Sequence, residues 1–283
     1  MESWSPIFIL TVSIVVVVIG TTISRIIKLI ISSSWYKRKY AERQQRWTEL
    51  TALVFEPLKR KLFADLDENL KRLNGDVLEI GIGSGQNFHH YPTGTALIAV
   101  DPNPHVEKLL KENLRKAGDR IKLKRFVAVS AEDMSYKERI GVEDNSVAAV
   151  VCTKLFCSLT DDQAKKVVRE VKRVLIPGGR FYFMEHVAGK PWTLQYVLQQ
   201  LVSKSHFWPT THNGCRCDRE TLLWIEHGGF TKVWSEKSWP EWKLFAERAS
   251  YDCFTRFKLF LINSMLIGFA EKGQCTEERK KEL

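Results

Sequence analysis

The sequence predicts an α/β domain, a parallel sheet covered by helices, carried behind an apolar N-terminal helix. Three observations predict it. Strand and helix patterns alternate between residues 76 and 185, a glycine-rich turn follows the first strand, and the 22 residues from Ser3 to Ser24 carry no charge. Alternation of this kind produces a parallel sheet with helices packed on it, because each crossover must return the chain to the same end of the sheet.

The elements follow in order. A strand is expected at Asp76–Ile80 and another at Ala96–Val100, then a helix over Pro104–Ala117 and a strand at Lys122–Val129. A buried strand over Val147–Cys152 precedes a helix over Thr160–Leu175, which Pro177-Gly178-Gly179 stops before a strand at Arg180–Glu185. Proline cannot continue the hydrogen-bond ladder, and glycine ends helices readily. Beyond Lys190 the pattern is less regular and rich in tryptophan (Trp192, Trp208, Trp224, Trp234, Trp239, Trp242), read as lid segments followed by closing strands near Thr231–Ser235 and Ser264–Glu271.

Ahead of the sheet, Leu50, Val54, Leu58, Leu62, Leu66 and Leu70 recur every four residues, which predicts one or two amphipathic helices interrupted near Pro57. The uncharged stretch before them, as a helix, spans about 33 Å, enough to cross a bilayer. Met1-Glu2 is not the positive start of a cleaved signal, so the stretch is read as a retained anchor. The net charge is +10, and Lys37 to Lys61 holds eight basic against three acidic residues, placing the excess beside the anchor. Such charge keeps the following domain cytosolic and attracts anionic headgroups, so membrane lipid, through residues 3–36 and this basic segment, is the expected partner and nucleic acid is not. The ending Lys280-Lys281-Glu282-Leu283 resembles a dilysine retrieval signal of the endoplasmic reticulum. The division expected is anchor 1–36, basic and helical segment 37–74, catalytic domain 75–272 and charged tail 273–283. The six cysteines are scattered without the spacing of a disulfide framework and are read as reduced thiols.

The chemistry gathers at the strand ends. Val77-Leu78-Glu79-Ile80-Gly81-Ile82-Gly83-Ser84-Gly85 ends a strand on a carboxylate and turns on three alternate glycines, where a backbone can pass close to a ligand. The spacing differs from the dinucleotide fingerprint, which keeps its third glycine for helix packing. Asp101, with Pro102 and Asn103, stands at the end of the second strand, 20 residues past Gly81, where an acid reaches the hydroxyls of a ribose. Ser130-Ala131-Glu132-Asp133-Met134 follows the third strand on the same edge and is placed to meet an adenine.

These phrases carry a resemblance. With Asn87-Phe88, Tyr91-Pro92, Asp101-Pro102-Asn103-Pro104, Val150-Val151-Cys152-Thr153, Cys157-Ser158, Arg169-Glu170-Val171, Arg173-Val174-Leu175, Pro177-Gly178-Gly179 and Phe181-Tyr182-Phe183-Met184-Glu185-His186-Val187, residues 70 to 272 resemble a class I S-adenosylmethionine-dependent methyltransferase. Within that class the chain is similar to the membrane-associated thiol methyltransferases of the methyltransferase-like seven group. The resemblance implies a Rossmann-like seven-stranded sheet with helices on both faces and S-adenosyl-L-methionine as cofactor. It implies that Glu79, Gly81, Gly83 and Gly85 cradle the methionine moiety, Asp101 holds the ribose, and Ala131 with Glu132 borders the adenine. It also implies residence on the endoplasmic reticulum or lipid droplets. The chain departs from the group in its N-terminus, in Lys190 to Thr211 and around Tyr251 to Leu261, the stretches that shape an acceptor pocket.

Methyl transfer from a sulfonium requires alignment more than acid or base chemistry. A thiol of pKa about 8.5 already supplies some thiolate at neutral pH. The expected acceptor is therefore the sulfur of a small lipophilic thiol, with O- or C-methylation of a lipid-like acceptor, or a non-catalytic organelle-surface protein, as alternatives. Glu185 and His186, at the end of the fifth strand, are the candidates to receive a proton or orient the acceptor. Cys215 and Cys217, with His206 and His212 nearby, do not have the usual spacing of zinc ligands, and no metal is expected. The resemblance puts Asn213-Gly214-Cys215 on the acceptor side.

Overall fold

A computed structural model describes residues 29–134, 141–205, 207–239 and 251–274, with positions 15, 18, 21, 22 and 25–27 before them. The chain divides into two units, Met1–Tyr40 and Ala41–Leu283. In the first, Val15, Val18, Ile26, Leu29, Ile30 and Trp35 expose their apolar side chains. Among the described residues no helix is long and apolar enough to cross a membrane. Most of Ser3–Ser24, and the tail from Cys275 with its dilysine ending, lie outside the described residues.

Helix α1 (Ser34–Leu62) runs through Pro57, where the sequence suggested an interruption. Proline removes the hydrogen bond to the carbonyl four residues back, which belongs to Leu53, an exposed residue. The break falls instead at residues 63–65, before α2 (Leu66–Leu73). Val54, Phe55, Leu58, Leu62 and Leu66 are buried, whereas Leu50, first of the four-residue series, is exposed.

The second unit is built on β1 (Asp76–Ile80), β2 (Thr95–Val100), α3 (Val106–Ala117), β3 (Ile121–Val127), β4 (Val147–Thr153), α4 (Asp161–Val174) and β5 (Leu175–His186). After β5 come α5 (Leu194–Lys204), α6 (Phe207–Thr211), α7 (Thr221–Glu226), β6 (Lys232–Ser238), α8 (Cys253–Ile262) and β7 (Met265–Glu271). The seven strands lie in the order β3-β2-β1-β4-β5-β7-β6. The first five are parallel, and β7 runs antiparallel between β5 and β6.

Strand alternation divides the core in two. Val77, Leu97, Ala99, Ala149, Val151, Tyr182 and Met184 face α1 and α2, while Leu78, Ile80, Ile98, Val100, Val150, Phe181 and Phe183 face α4. The period of two in a strand puts successive side chains on opposite faces, so the nearly all-apolar β4 is buried on both. Helix α4 shows how local chemistry fixes an element. Thr160 and Gln163 form a reciprocal capping box at its start, acids occupy the first turn and bases the last, and Ala164, Val167, Val168, Val171 and Val174 make one buried stripe. Helix α4 ends at Val174, and Pro177-Gly178-Gly179 lies inside β5 as a bulge rather than ahead of it. Gly178 has φ +79°. Its N–H donates to the Lys272 carbonyl at 2.8 Å, and Lys272 N–H returns to Gly179 at 3.0 Å, so the bulge is pinned to the end of β7.

Candidate active site

The order of strands reverses direction between β1 and β4, and in open α/β sheets ligands bind in the crevice beyond the strand ends at such a point. The glycine turn opens this crevice. Gly81, Gly83 and Gly85 have φ of +68°, +53° and +80°, a region that residues with a Cβ rarely adopt. Nothing lies within 4 Å of the place a Cβ on Gly83 would occupy, whereas one on Gly85 would overlap the Phe88 ring. Gly85 is thus required by packing, and Gly83 leaves open space above the turn.

Asp101 joins the turn to the second strand end. One of its oxygens accepts the Gly83 N–H at 3.0 Å and the other accepts the Asn103 N–H at 2.8 Å. Burial raises its pKa despite these two donors. Each carboxylate oxygen keeps a further lone pair for a hydroxyl donor. Beside it is a cavity of about 240 Å³ whose wall includes Gly81, Pro102, Ala131, Glu132 and Leu155. Glu132 is held by Gln163 Nε2 at 2.6 Å and by the Ser130 hydroxyl at 3.1 Å. The structure therefore brings the turn, Asp101 to Asn103, and Ala131 to Glu132 together at one sheet edge.

Glu79 lies underneath. It is buried, and its two oxygens accept from Asn87 Nδ2 at 2.7 Å and the Tyr91 hydroxyl at 2.6 Å. Burial pushes its carboxyl up to about 7, and burial brings the nearby Lys59 ammonium down to about 7. Lys59 reaches the Gln86 carbonyl at 3.2 Å. Glu79 thus braces the far side of the turn. Lys59, read from sequence as one of the basic charges beside the anchor, is instead a buried support of the site, a placement that only the packing of α1 on the sheet could reveal.

Glu185 and His186 end β5, both buried. Glu185 Oε1 accepts the Leu155 N–H at 2.8 Å and the Cys152 thiol at 3.4 Å, while Oε2 has no hydrogen-bond partner among the described residues. His186 presents Nε2 to Cys215 Sγ at 3.7 Å, and its Nδ1 has no partner among the described residues. Although burial opposes it, the Cys157 and Glu185 side chains hold the His186 pKa above its ordinary value. Glu185 stands one layer behind the cavity wall, through Leu155. His212 stacks on Trp208 with ring centroids 3.9 Å apart, and His206 lies outside the described residues.

A mainly parallel open sheet with a positive-φ glycine turn, a carboxylate at the next strand end and a cavity beside it is the architecture of an α/β enzyme with its site at the switch point. Residues 78–183 match the family described as Methyltransferase domain. The chain is 38% identical over 176 residues to the human thiol S-methyltransferase TMT1A, covering 62% of this chain and 68% of that protein. It is 36% identical over 190 residues to human TMT1B, covering 66% and 73%. Among solved structures, phosphoethanolamine N-methyltransferase 2 of Haemonchus contortus in complex with S-adenosyl-L-methionine is similar in fold, with a TM-score of 0.50 at 17% identity over 74% of this chain and 53% of that one. The chain belongs to the S-adenosylmethionine-dependent methyltransferases, in the family of these thiol S-methyltransferases.

Proposed function

We propose that the acceptor is the sulfur of a small lipophilic thiol and that the enzyme works at a membrane. The cofactor, when bound, supplies an electrophilic methyl group on a sulfonium. The residues here fit it: Gly83 leaves room over the turn, Asp101 keeps acceptor capacity for sugar hydroxyls, and Ala131 with Glu132 walls the slot expected to take the base. What remains for the chain is to hold the acceptor in line and favour its reactive form.

The observation that carries the thiol reading is the character of the β5 end. Glu185 and His186 are buried among Cys152, Cys157 and Cys215, each with one polar atom that no group among the described residues satisfies. A hydroxyl acceptor needs a strong, well-aimed base, whereas a thiol needs only orientation and a modest shift toward thiolate. The thiol S-methyltransferase relatives support the same choice.

The membrane half rests on the uncharged Ser3–Ser24 stretch, the basic residues after it and the exposed apolar side chains of the N-terminal unit. On this reading the enzyme resides on the endoplasmic reticulum membrane or on lipid droplets with the catalytic unit facing the cytosol, where an apolar acceptor concentrates. The full-length protein, assayed with labelled cofactor against thiols, phenols and amines, is expected to methylate thiols. Transfer to phenols or amines alone overturns the acceptor assignment.

A further inference from the structure

Two groups of side chains among the described residues bring three potential ligand atoms within 4.8 Å of one another. One, Glu56 with His89 and His90, sits where Glu56 already pairs with Arg60 at 2.8 Å and His89 is exposed, the pattern of a solvated charge cluster. The other is Cys157, His186 and Cys215, and all three are buried.

These three come from separate parts of the fold. Cys157 lies in the single 3-10 turn Phe156–Ser158 after β4, His186 is the last residue of β5, and Cys215 follows α6. The backbone locks them in place. Arg216 N–H donates to the Cys157 carbonyl at 2.8 Å, and Val187 N–H donates to the Ser264 carbonyl at 2.9 Å. Gly214 has φ +84° and passes so near Ser158 that a Cβ there would come within 3.0 Å of its carbonyl oxygen. The site is therefore built on fixed strand ends and a pinned turn.

We propose that Cys157, His186 and Cys215 bind a zinc ion, and that the ion's fourth position receives the sulfur of the acceptor; the second clause rests on the thiol reading above. Two thiolates and an imidazole are ligands zinc prefers, and three protein ligands with one open position is the pattern of a catalytic zinc. With zinc–sulfur bonds of about 2.3 Å and zinc–nitrogen of about 2.05 Å, tetrahedral angles separate sulfur from nitrogen by about 3.6 Å. Cys215 Sγ and His186 Nε2 are 3.7 Å apart. Left alone, the group is poorly satisfied. The buried His186 Nε2 faces only the sulfurs of Cys215 and Cys157, weak partners for a buried ring nitrogen.

Ser158, next to Cys157, and Asn213, two residues before Cys215, line the same cavity as Gly81 and Ala131. In the proposed site the ion's open position faces that cavity. Zinc binding releases the protons of Cys157 and Cys215 to solvent. An entering thiol loses its proton to solvent as its sulfur joins the ion. A lone pair of that sulfur then forms the new bond to methyl, the old carbon–sulfur bond leaves its electron pair on the cofactor's sulfur, and the neutral thioether, a weaker ligand, departs. His186 in this scheme orients the acceptor through the metal and takes no proton.

The test uses the full-length chain purified in detergent from zinc-supplemented cells and dialysed against a weak chelator. Elemental analysis is expected to find about one zinc per chain in the wild type and in Cys217→Ser, and less than about a tenth in Cys157→Ser and Cys215→Ser, with circular dichroism reporting whether each variant is folded. Cobalt(II) exchanged into the wild type is expected to give thiolate charge-transfer bands and tetrahedral visible bands that shift when thiophenol is added, a readout independent of any variant. A wild type free of zinc and without cobalt bands overturns the site, as does retention of metal by folded Cys157→Ser or Cys215→Ser. Loss of zinc from Cys217→Ser means a fourth protein ligand, and overturns the open position. Cobalt bands unmoved by a thiol that the enzyme methylates also overturn it, while leaving the thiol reading intact. If no thiol is methylated, that reading falls, and metal content with the cobalt bands still judges the three-residue site.

Discussion

Asp101 reaches across from the end of β2 to accept the N–H of Gly83 at 3.0 Å, so the carboxylate assigned to the ribose also holds the turn assigned to the methionine end. The two halves of the cofactor site are coupled through one side chain. Substituting Asp101→Asn keeps the volume but leaves an amide NH2 where one of two oxygens accepted a backbone N–H. Hydrogen bonds to a charged group contribute about 1.5–3 kcal/mol, so cofactor affinity is expected to fall by roughly 10- to 100-fold. Calorimetric titration with S-adenosylhomocysteine measures it. Unchanged affinity would remove Asp101 from the site.

The glycines separate stability from binding. Gly85→Ala drives a methyl into Phe88 and also strains a backbone at φ +80°, and should destabilise the fold by about 2–4 kcal/mol. Gly83→Ala meets no neighbour and carries only the backbone strain of about 1–2 kcal/mol, yet its methyl occupies the space left for the cofactor. The expected result is opposite rankings: Gly85→Ala is worse by urea denaturation, and among folded samples Gly83→Ala is the one with lost cofactor binding. The same ranking in both assays would mean that the space over Gly83 is not the cofactor's.

Beneath the turn, Glu79 and Lys59 are both shifted to about 7, from ordinary values of 4.5 and 10.5. The signs are opposite in origin and alike in effect. A raised carboxyl contributes stability below about 4.5 that is lost as pH rises toward 7; a depressed lysine lets unfolding take up a proton between about 7 and 10.5, so stability recovers over that range. The pair therefore pulls the stability curve down near neutrality. Urea unfolding at pH 6, 7 and 9 should show the recovery above pH 7 in the wild type and its loss in Lys59→Met. A recovery of equal size in the variant would assign it to other groups.

What could be read in advance follows from how local each signal is. The glycine turn, Asp101 and the Ala131-Glu132 corner each lie at the end of a strand whose pattern is local, and a parallel sheet necessarily puts those ends on one edge. The Pro177 bulge was misplaced because proline and glycine punctuate a bulged strand as well as a helix end, and only pairing with β7 decides between them. Lys59 was misjudged because charge counts carry no burial. Cys157, His186 and Cys215 were the least legible: each is separated from the next by 29 residues, and no spacing rule links residues that meet only when β4, β5 and the turn after α6 are assembled.

The proposed anchor supplies the last test. Ser3–Ser24 is uncharged, and Val15, Val18, Ile26, Leu29 and Ile30 expose apolar side chains that water solvates poorly. Burying one such side chain is worth about 1.5–3 kcal/mol, so a handful suffices to hold a chain on a bilayer against dilution. The sheet and every residue of the candidate active site belong to the unit that begins at Ala41, so removing residues 1–36 leaves the catalytic unit whole. The full-length protein is expected to stay with membranes through alkaline carbonate extraction, and the truncated one to appear in the supernatant. Persistent sedimentation of the truncated chain would move the attachment to a surface of the catalytic unit. The exposed Trp192, Leu194 and Leu201 near α5, with Phe254 and Phe257 on α8, would then be the residues to replace with glutamate.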